Sequence, residues 1–327
     1  MSLHRRRLLL SMAGALAARP FAAFAAGYPN HPVKLVVPFA AGGITDVLGR
    51  VWANGAAPEL GTIVIENRGG AGSMIGATEV AHAVPDGYTL LVGNTSNQVL
   101  NPELMESRPF NAEEDLIAVA IFTAIPNVIV ASPSLPAHDL KELAAYARKN
   151  PGKLSYGSAG VGTMTNLSGE LFKKLAGDVN IVHVPYRGGA PVIADLMSGT
   201  LPIASLSIAA PLLALHKQGK IRILCVEANM RVAIAPDIPT AAESGFPDLV
   251  VEVFDGIFAP AGTPQAAIDK IAAASAVAMK NPIVLGTIEK VGGHPMSLSD
   301  PKAATEFVAA ERKRWRPIIR ELGIPKR

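Results

Sequence analysis

Residues 35–46 read LVVPFAAGGITD, and the fold can be predicted outward from this stretch. The apolar run ends at Pro38, a Gly-Gly pair follows, and Thr45 and Asp46 are polar residues suited to a helix start. A strand, a glycine turn and a helix in this order bind anions in α/β proteins, because backbone N–H groups at a helix N-terminus lack helical partners. The stretch predicts an anion site. A nucleotide, a reacting substrate and a transported solute are all open at this point.

The same order of elements repeats along the chain. Apolar strand-like runs at 33–39, 62–68 and 88–94 alternate with segments at helical spacing such as 73–83. The runs are continuously apolar, as expected of parallel strands covered by helices on both faces. This alternation predicts an α/β protein with a doubly wound sheet.

A second series of strands and helices begins near residue 126 and ends near residue 249. The chain then returns through 250–264, and two helices, at about 265–280 and 301–322, are predicted to close it. We therefore expect two α/β lobes, the second inserted in the first, with a ligand cleft between them. The predicted divisions are 27–125 plus 250–327 for the first lobe and 126–249 for the second.

The first 26 residues have the layout of a secretory signal peptide. Arg5, Arg6 and Arg7 are followed by an apolar stretch at 8–18 and by small residues, which predicts cleavage near Ala25 or Ala26 and export to the periplasm. The stretch is shorter than the roughly 20 residues of a membrane-spanning helix. Both the general and the twin-arginine export routes are open.

The apparent basicity of the chain belongs to this leader. The formal net charge is +3, and residues 1–26 carry four Arg and no Lys, Asp or Glu, so the remainder carries about −1 (+3 minus 4). No dense Lys/Arg patch with interleaved aromatic residues occurs. The composition therefore gives no case for nucleic-acid binding.

Motifs for metal, cofactor and covalent chemistry are missing from the sequence. No two of the seven histidines are three or four residues apart, and H-E-x-x-H, C-x-x-C, G-x-S-x-G and G-x-x-x-x-G-K-[ST] do not occur. The single cysteine, Cys225, lies in the apolar run IRILCVE, which indicates a buried small side chain. We expect no metal, no cofactor and no enzymatic activity.

Four glycine-rich loops each stand where a strand should end and a helix begin. They are PFAAGGITD (38–46), GNTSN (93–97), GSAGVGT (157–163) and PYRGGA (185–190). Two belong to each predicted lobe, and each offers backbone N–H groups with small polar side chains. Helix N-termini from two lobes that face one cleft can hold a small carboxylate from both sides.

These loops carry a resemblance to a known family. The stretches YPNHPVKLVVPFAAGGITDVLGRVWA, LSYGSAGVGTMTNLSGELF, VHVPYRGGAPVIADLMSG and FAPAGTP resemble the substrate-binding proteins of tripartite tricarboxylate transporters, called the Bug or TctC family. The resemblance covers essentially the whole chain after the leader. It implies a periplasmic solute-binding fold of the two-lobed type II kind, with crossing strands near 120–130 and 250–258. It also implies small organic acids, amino acids or aromatic carboxylates as ligands.

The resemblance also implies which residues bind the ligand. In the first lobe they are Phe39, Ala40, Gly42, Gly43, Thr45, Asp46, Asn94, Thr95 and Ser96. In the second lobe they are Ser158, Ala159, Gly160, Thr163, Tyr186, Arg187 and Gly188. Phe254 and Asp255 stand at the aromatic pair position before the APAGTP stretch. A purely structural role is open for several of them: Asp46 as a helix-start acid, Phe39 and Phe254 as core residues, and Arg187 as a solvated charge.

One departure from the family bears on the ligand. The segment GTLPIASL has Leu206 where the family usually has an acid that can receive a ligand amino group. This predicts a plain or aromatic carboxylate rather than an amino acid, although Asp255 offers another acid.

The resemblance favours an extracytoplasmic protein that captures a small carboxylate for the membrane permease subunits of a tripartite tricarboxylate-type transporter. A ligand-sensing periplasmic receptor that docks on a membrane sensor is the alternative. Both need the same ligand-dependent closure of two lobes. We expect the protein to act as a monomer.

Overall fold

The computed structural model describes residues 27–186, 188–324 and 326, so the predicted signal peptide and Arg187 lie outside the described residues. The strands are β1 (Val33–Val37), β2 (Ile63–Asn67), β3 (Thr89–Asn94), β4 (Leu116–Ala131), β5 (Leu154–Ser158), β6 (Ile181–Pro185), β7 (Ile203–Ser207), β8 (Arg222–Val226), β9 (Glu252–Pro260) and β10 (His294–Leu298). The α-helices are α1 (Ile44–Leu60), α2 (Met74–Ala81), α3 (Asn101–Leu104), α4 (Leu140–Lys149), α5 (Met164–Leu175), α6 (Gly189–Ser198), α7 (Ala210–Lys217), α8 (Gln265–Ala278), α9 (Pro282–Lys290) and α10 (Pro301–Glu321).

The strands of the first lobe lie in the order β2-β1-β3-β9-β4, with β10 also paired to β4. β1 is parallel to β2 and β3, whereas β9 is antiparallel to both β3 and β4. The carboxyl ends of β1, β2 and β3 therefore meet at one edge of the sheet. The glycine turn after β1 and the polar turn after β3 both lie at this edge.

The second lobe repeats the arrangement. β5 lies between β6 and β7 and is parallel to both, and β4 is antiparallel to β7 and β8. The loops after β5 and β6 therefore also share one sheet edge. The two parallel units confirm the predicted α/β class, in which continuously apolar strands are covered on both faces.

The long strand β4 belongs to both lobes. Its residues up to Pro126 pair with β9, and its residues from Asn127 pair with β7 and β8. The chain returns beside it, because the Asn127 N–H donates to the Val251 carbonyl (2.9 Å) and the Glu227 N–H donates to the Asn127 carbonyl (2.8 Å). Three segments, at Asn127, Glu227 and Val251, thus meet at the junction between the lobes. The exact lobe boundaries stay a prediction.

Buried apolar side chains form two clusters on opposite faces of the sheet. On one face the Trp52 indole of α1 donates to the Ser275 hydroxyl of α8 (3.2 Å), which joins the two helices. On the other face α10 packs against β4 and buries Trp315. Helices on both faces therefore hold the sheet in place, and with it the edge at which the loops lie.

Two elements near the C-terminus were not expected. The sequence predicted only two closing helices, but α9 and β10 lie between α8 and α10. The strand β10 reads HPMSL, is half exposed and contains a proline, so it lacks the apolar pattern that marks the other strands. No single described helix is long and apolar enough to cross a membrane, although α8 and α9, bent by 75° relative to each other, pass that test together.

Candidate functional site

The turn between β1 and α1 is open to solvent and has free hydrogen-bonding capacity. Residues Ala40 to Gly43 are exposed, and Gly42 has a φ of +83°, a conformation that favours glycine. Gly43 precedes the helix in an extended conformation, and no side chain caps α1. The first N–H groups of α1 are thus available to an anion, and the helix dipole favours negative charge there.

Asp46 is held inside the protein below this turn. Its carboxylate accepts from the Gly42 N–H (2.8 Å), from Arg50 Nε (2.9 Å) and from Asn67 Nδ2 (2.9 Å). Asn67 Nδ2 also donates to the carbonyl of half-buried Phe39 (3.1 Å). Burial would raise the pKa of Asp46, but the hydrogen bonds from Arg50, Gly42 and Asn67 outweigh this and lower it. The predicted ligand residue Asp46 therefore fixes the turn rather than presenting a free carboxylate.

The turn after β3 is buried and is held by hydrogen bonds among its own residues, although the buried Asn97 Nδ2 has no partner among the described residues. Asn94 Oδ1 accepts from the N–H groups of Ser96 (3.0 Å) and Asn97 (3.3 Å). The Thr95 hydroxyl accepts from the Phe254 N–H (2.9 Å), which ties this turn to β9. Asn94, Thr95 and Ser96 are thus placed beside the first turn, and these contacts give them the role of supports.

The two predicted residues on β9 point to opposite faces of the sheet. The Phe254 ring lies edge-on to Phe307 of α10 at 5.4 Å between ring centroids, so Phe254 is a core residue. Asp255 is paired with Asn94 and Thr123 of the flanking strands, and its side chain is 1% exposed. Burial raises the pKa of Asp255 to about 7, and the neighbouring Thr45 and Asn94 side chains only partly oppose this.

The loop after β5 is organised by side chains of the second lobe. The Ser158 hydroxyl lies 2.7 Å from His183 Nε2 and accepts from the Gly160 N–H (3.2 Å). The Thr163 side chain caps α5 by accepting from the Asn166 N–H. The Ala159 N–H donates to the Thr165 hydroxyl (3.0 Å). Ala159, Gly160 and Thr163 are half-buried, so this loop presents a prearranged polar surface at the sheet edge.

The loop after β6 adjoins the same surface. The Tyr186 N–H donates to the Ser158 carbonyl (3.0 Å), and its hydroxyl donates to Asp195 (2.6 Å). Burial and the Asp195 carboxylate raise the pKa of Tyr186 to about 12. Gly188 has a φ of +114° and precedes α6 without a side-chain cap. Leu206 is 4% exposed and packs in the core near the start of α6.

Four residues outside the predicted set hold these loops in place: Arg50, Asn67, Asn166 and His183. Asn67 ends β2, directly beside Val37 at the end of β1, so its position follows from the strand register. Asn166 Oδ1 accepts from the Gly162 N–H (3.1 Å). His183 stacks on Tyr156 with 4.8 Å between ring centroids, and burial lowers its pKa. Polar residues at the ends of neighbouring parallel strands are the signal that could have identified Asn67.

Metal chemistry has no centre in the part of the chain that the structure describes. No group of three or more His, Cys, Asp or Glu side chains is arranged there to hold a metal ion. Cys225 is buried, and burial raises the pKa of its thiol, so it is a core residue as expected. The described site therefore offers backbone N–H groups and polar side chains, with the Asp46 carboxylate already paired with Arg50.

Two lobes joined by paired crossing strands, with open helix N-termini at their strand ends, define a solute-binding protein of the periplasmic type. A family model described as tripartite tricarboxylate transporter family receptor, TctC, matches residues 48–324. The chain belongs to this family, which confirms the prediction of a solute-binding receptor rather than an enzyme.

Solved structures of similar proteins confirm the fold. The periplasmic binding protein BugD is 32% identical, with a TM-score of 0.81 over 92% of this chain and 100% of its own. MatC from Rhodopseudomonas palustris, with bound malate, is 32% identical, with a TM-score of 0.80 over 89% and 100%. R. palustris Rpa4515, with adipate, is 31% identical, with a TM-score of 0.83 over 91% and 99%. The two-lobed periplasmic-binding-protein fold predicted from the sequence is therefore correct.

Proposed function

We propose that this protein captures a small organic carboxylate between its lobes and delivers it to the permease subunits of a tripartite tricarboxylate-type transporter. The observation that carries the proposal is the exposed turn Ala40–Gly43 before the uncapped N-terminus of α1. Because the Asp46 carboxylate is paired with the Arg50 guanidinium and also accepts a hydrogen bond from Asn67, the turn can accept a negative group. The malate and adipate in related structures support a dicarboxylate as the ligand.

The proposed ligand contacts in the second lobe are the N-terminal regions of α5 and α6. Ser158, Ala159, Gly160 and Thr163 supply polar groups there, and Tyr186 supplies an apolar ring with a hydroxyl already bound to Asp195. Arg187 is proposed as a guanidinium that can bind a carboxylate with two hydrogen bonds. The proposed lobes are 27–125 plus 250–327 and 126–249.

A substitution at Gly43 tests the site. Gly43 has a φ of −74°, so Val can adopt its backbone, but the added side chain occupies the space before the α1 N–H groups. We expect Gly43→Val to weaken binding of malate or adipate by about 100-fold, which corresponds to roughly 2.7 kcal/mol. Isothermal titration calorimetry measures this. The matched control is Gly286→Val, because no atom lies within 4 Å of a Cβ added at Gly286. Equal affinities of the two variants would contradict the proposal.

The cellular role is proposed to be periplasmic uptake. The leader before Ala25 and Ala26 supports export, and the relative BugD is a periplasmic binding protein. Deletion of the gene should lower uptake of the bound carboxylate, and the mature protein should begin near residue 26 or 27 by N-terminal sequencing. Normal uptake with loss of a ligand-induced transcriptional response would instead favour a receptor that docks on a membrane sensor.

A further inference from the structure

A buried carboxyl group without a cation lies at the floor of the first-lobe site. The Asp255 side chain is 1% exposed, and its Oδ1 has no hydrogen-bond partner among the described residues. It neighbours Thr45, in the first turn of α1, and Asn94, at the end of β3. A buried carboxylate normally has a positive partner or a full set of hydrogen bonds. Asp255 has neither, so its environment favours the neutral form.

The charged groups on the elements around Asp255 do not supply the positive partner that an ionised Asp255 would need. On α1, Asp46 and Arg50 are bound to each other, and β3 and β4 carry no titratable side chain. The other acid on β9 is Glu252, and burial raises its pKa. His294 of β10 and Arg314 and Glu311 of α10 act on Glu252 and not on Asp255. The described side chains that contact Asp255 are instead the neutral Thr45 and Asn94, and none of the cationic groups on these elements is paired with it.

Because of its location, the protonation state of Asp255 affects how tightly the first lobe can bind an anion. A carboxylate at the N-terminus of α1 would be close to Thr45 and hence to Asp255. Two negative charges in a region shielded from water repel each other strongly, since the effective dielectric constant is low. The bound anion and an ionised Asp255 therefore disfavour each other, and each stabilises the neutral form of its neighbour.

We propose that Asp255 links carboxylate capture to proton uptake, so that the first lobe binds an anionic ligand only with Asp255 in its neutral form. The proton comes from solvent, and one proton enters with each ligand when the free protein is ionised at this position. This inference rests on the proposed function, because it concerns the same site. It makes Asp255 a positioning residue that sets the charge selectivity of the site.

The proposal gives a pH profile that a purely structural residue would not produce. Burial raises the pKa of Asp255 to about 7 in the free protein, and a bound anion raises it further. Affinity for malate or adipate should be constant below pH 7 and fall by up to about tenfold per pH unit above it. Proton uptake per binding event should rise toward one over the same range.

Calorimetric titrations with malate and adipate from pH 6 to pH 8.5, in two buffers of different ionisation enthalpy, measure both quantities. Asp255→Asn mimics the neutral acid, so it should keep the affinity of the wild-type protein at pH 6, lose the pH dependence and take up no proton. The matched control is Asp237→Asn, an exposed position that should behave like wild type. Loss of binding in Asp255→Asn, or an unchanged pH profile, would overturn the inference.

The unliganded proteins provide a second measurement. An acid whose pKa rises from 3.8 in the unfolded chain to about 7 in the folded one stabilises the fold at low pH. This stability is lost as pH rises through 7. The free energy of unfolding of wild type should therefore fall between pH 4 and pH 7 relative to that of Asp255→Asn. Parallel curves would overturn the inference. Failure of every carboxylate to bind at any pH would instead contradict the proposed function, whatever the unfolding curves give.

Discussion

Asp46 is a buried carboxylate that supports the exposed turn Ala40–Gly43 from inside the protein. It is 2% exposed, and its two oxygens hold the Gly42 N–H, Arg50 and Asn67. The turn Ala40–Gly43 is exposed, and its small residues bury little surface. The conformation of the turn therefore depends on the hydrogen bond that Gly42 donates to the Asp46 carboxylate and on the one that Asn67 donates to the Phe39 carbonyl.

Removal of this carboxylate should loosen the turn. We expect Asp46→Ala to lower the free energy of unfolding by about 1–3 kcal/mol, because the hydrogen bonds from Gly42, Arg50 and Asn67 to this charged group are lost. Carboxylate affinity should fall with it, since the N–H groups are no longer preorganised. Because the pKa of Asp46 is lowered in the fold, its contribution is present above pH 4 and lost as pH falls.

Thermal unfolding and calorimetric titration with malate at pH 7 measure these effects. Asp269→Ala is the matched control, because Asp269 is an exposed acid that accepts a hydrogen bond from Gln265 of the same helix. An Asp46→Ala variant as stable and as tight-binding as this control would contradict the assigned role.

At the residue scale, the sequence predicts the open turn better than its supports. Gly42, Gly43 and Thr45 lie in one contiguous stretch, so their role follows from local order alone. Asn67 and His183 reach their partners only through the register of neighbouring strands, which local patterns do not give. The sequence also offered no means to find that Phe254 packs on Phe307 or that Asp255 is sealed from water.

Among the elements, the crossing point of β4, β8 and β9 has an unusual polar composition. Ser205 donates to Ser168 (2.6 Å), and Ser168 donates to Glu227 Oε1 (2.7 Å), all of them buried. Glu227 Oε2 and Asn127 Nδ2 have no hydrogen-bond partner among the described residues. Burial raises the pKa of Glu227 to about 8. The junction between the lobes therefore contains a buried carboxyl group whose surroundings favour the neutral form at pH 7.

Because of Glu227, the free energy of unfolding should fall as the pH is raised. The pKa of Glu227 rises from 4.5 in the unfolded chain to about 8 in the fold, so its stabilising effect is lost as pH rises through 8. Glu227→Gln keeps the acceptor for Ser168 and does not titrate. Relative to this variant, we expect wild type to lose up to about 1.4 kcal/mol per pH unit between pH 4.5 and 8.

Urea unfolding across this pH range compares the two proteins. The exposed Glu306→Gln serves as the control, and its curve should follow wild type. If Glu227→Gln also followed wild type at every pH, Glu227 would be ionised throughout and the neutral assignment would be wrong.

The elements themselves were predictable to different degrees. Helices α5 and α6 and the strands of both parallel units follow apolar patterns at their expected spacing, because they are covered by other layers. The pair α9 and β10 was missed, since both elements are short and β10 pairs with β4 mainly through its backbone. A strand that is held mainly by backbone pairing has no clear apolar pattern, so it is difficult to predict from the sequence.

For the whole molecule, β4 is the strand that the two lobes share. Its residues pair continuously from Leu116 to Ala131, first in one lobe and then in the other. Loss of either lobe removes pairing partners from the same strand. At the junction the Asn127 N–H donates to the Val251 carbonyl and the Ile208 N–H donates to the Pro126 carbonyl, so disorder in either lobe would expose backbone groups at this point.

We expect the two lobes to unfold together. Both tryptophans of the chain, Trp52 and Trp315, pack on helices of the first lobe, so indole fluorescence reports on that lobe alone. Far-ultraviolet circular dichroism reports on both lobes. The urea midpoints of the two signals should coincide, as in a two-state transition. Midpoints that differ beyond error would indicate independent lobes.

The shared strand β4 also has a mechanical consequence. The chain leaves the first lobe along β4 and returns along β9, so the second lobe is a closed detour between two strands that are hydrogen-bonded to each other. Tension applied at residues 27 and 324 would load the first lobe directly. The second lobe would be shielded from that force until β4 and β9 separate.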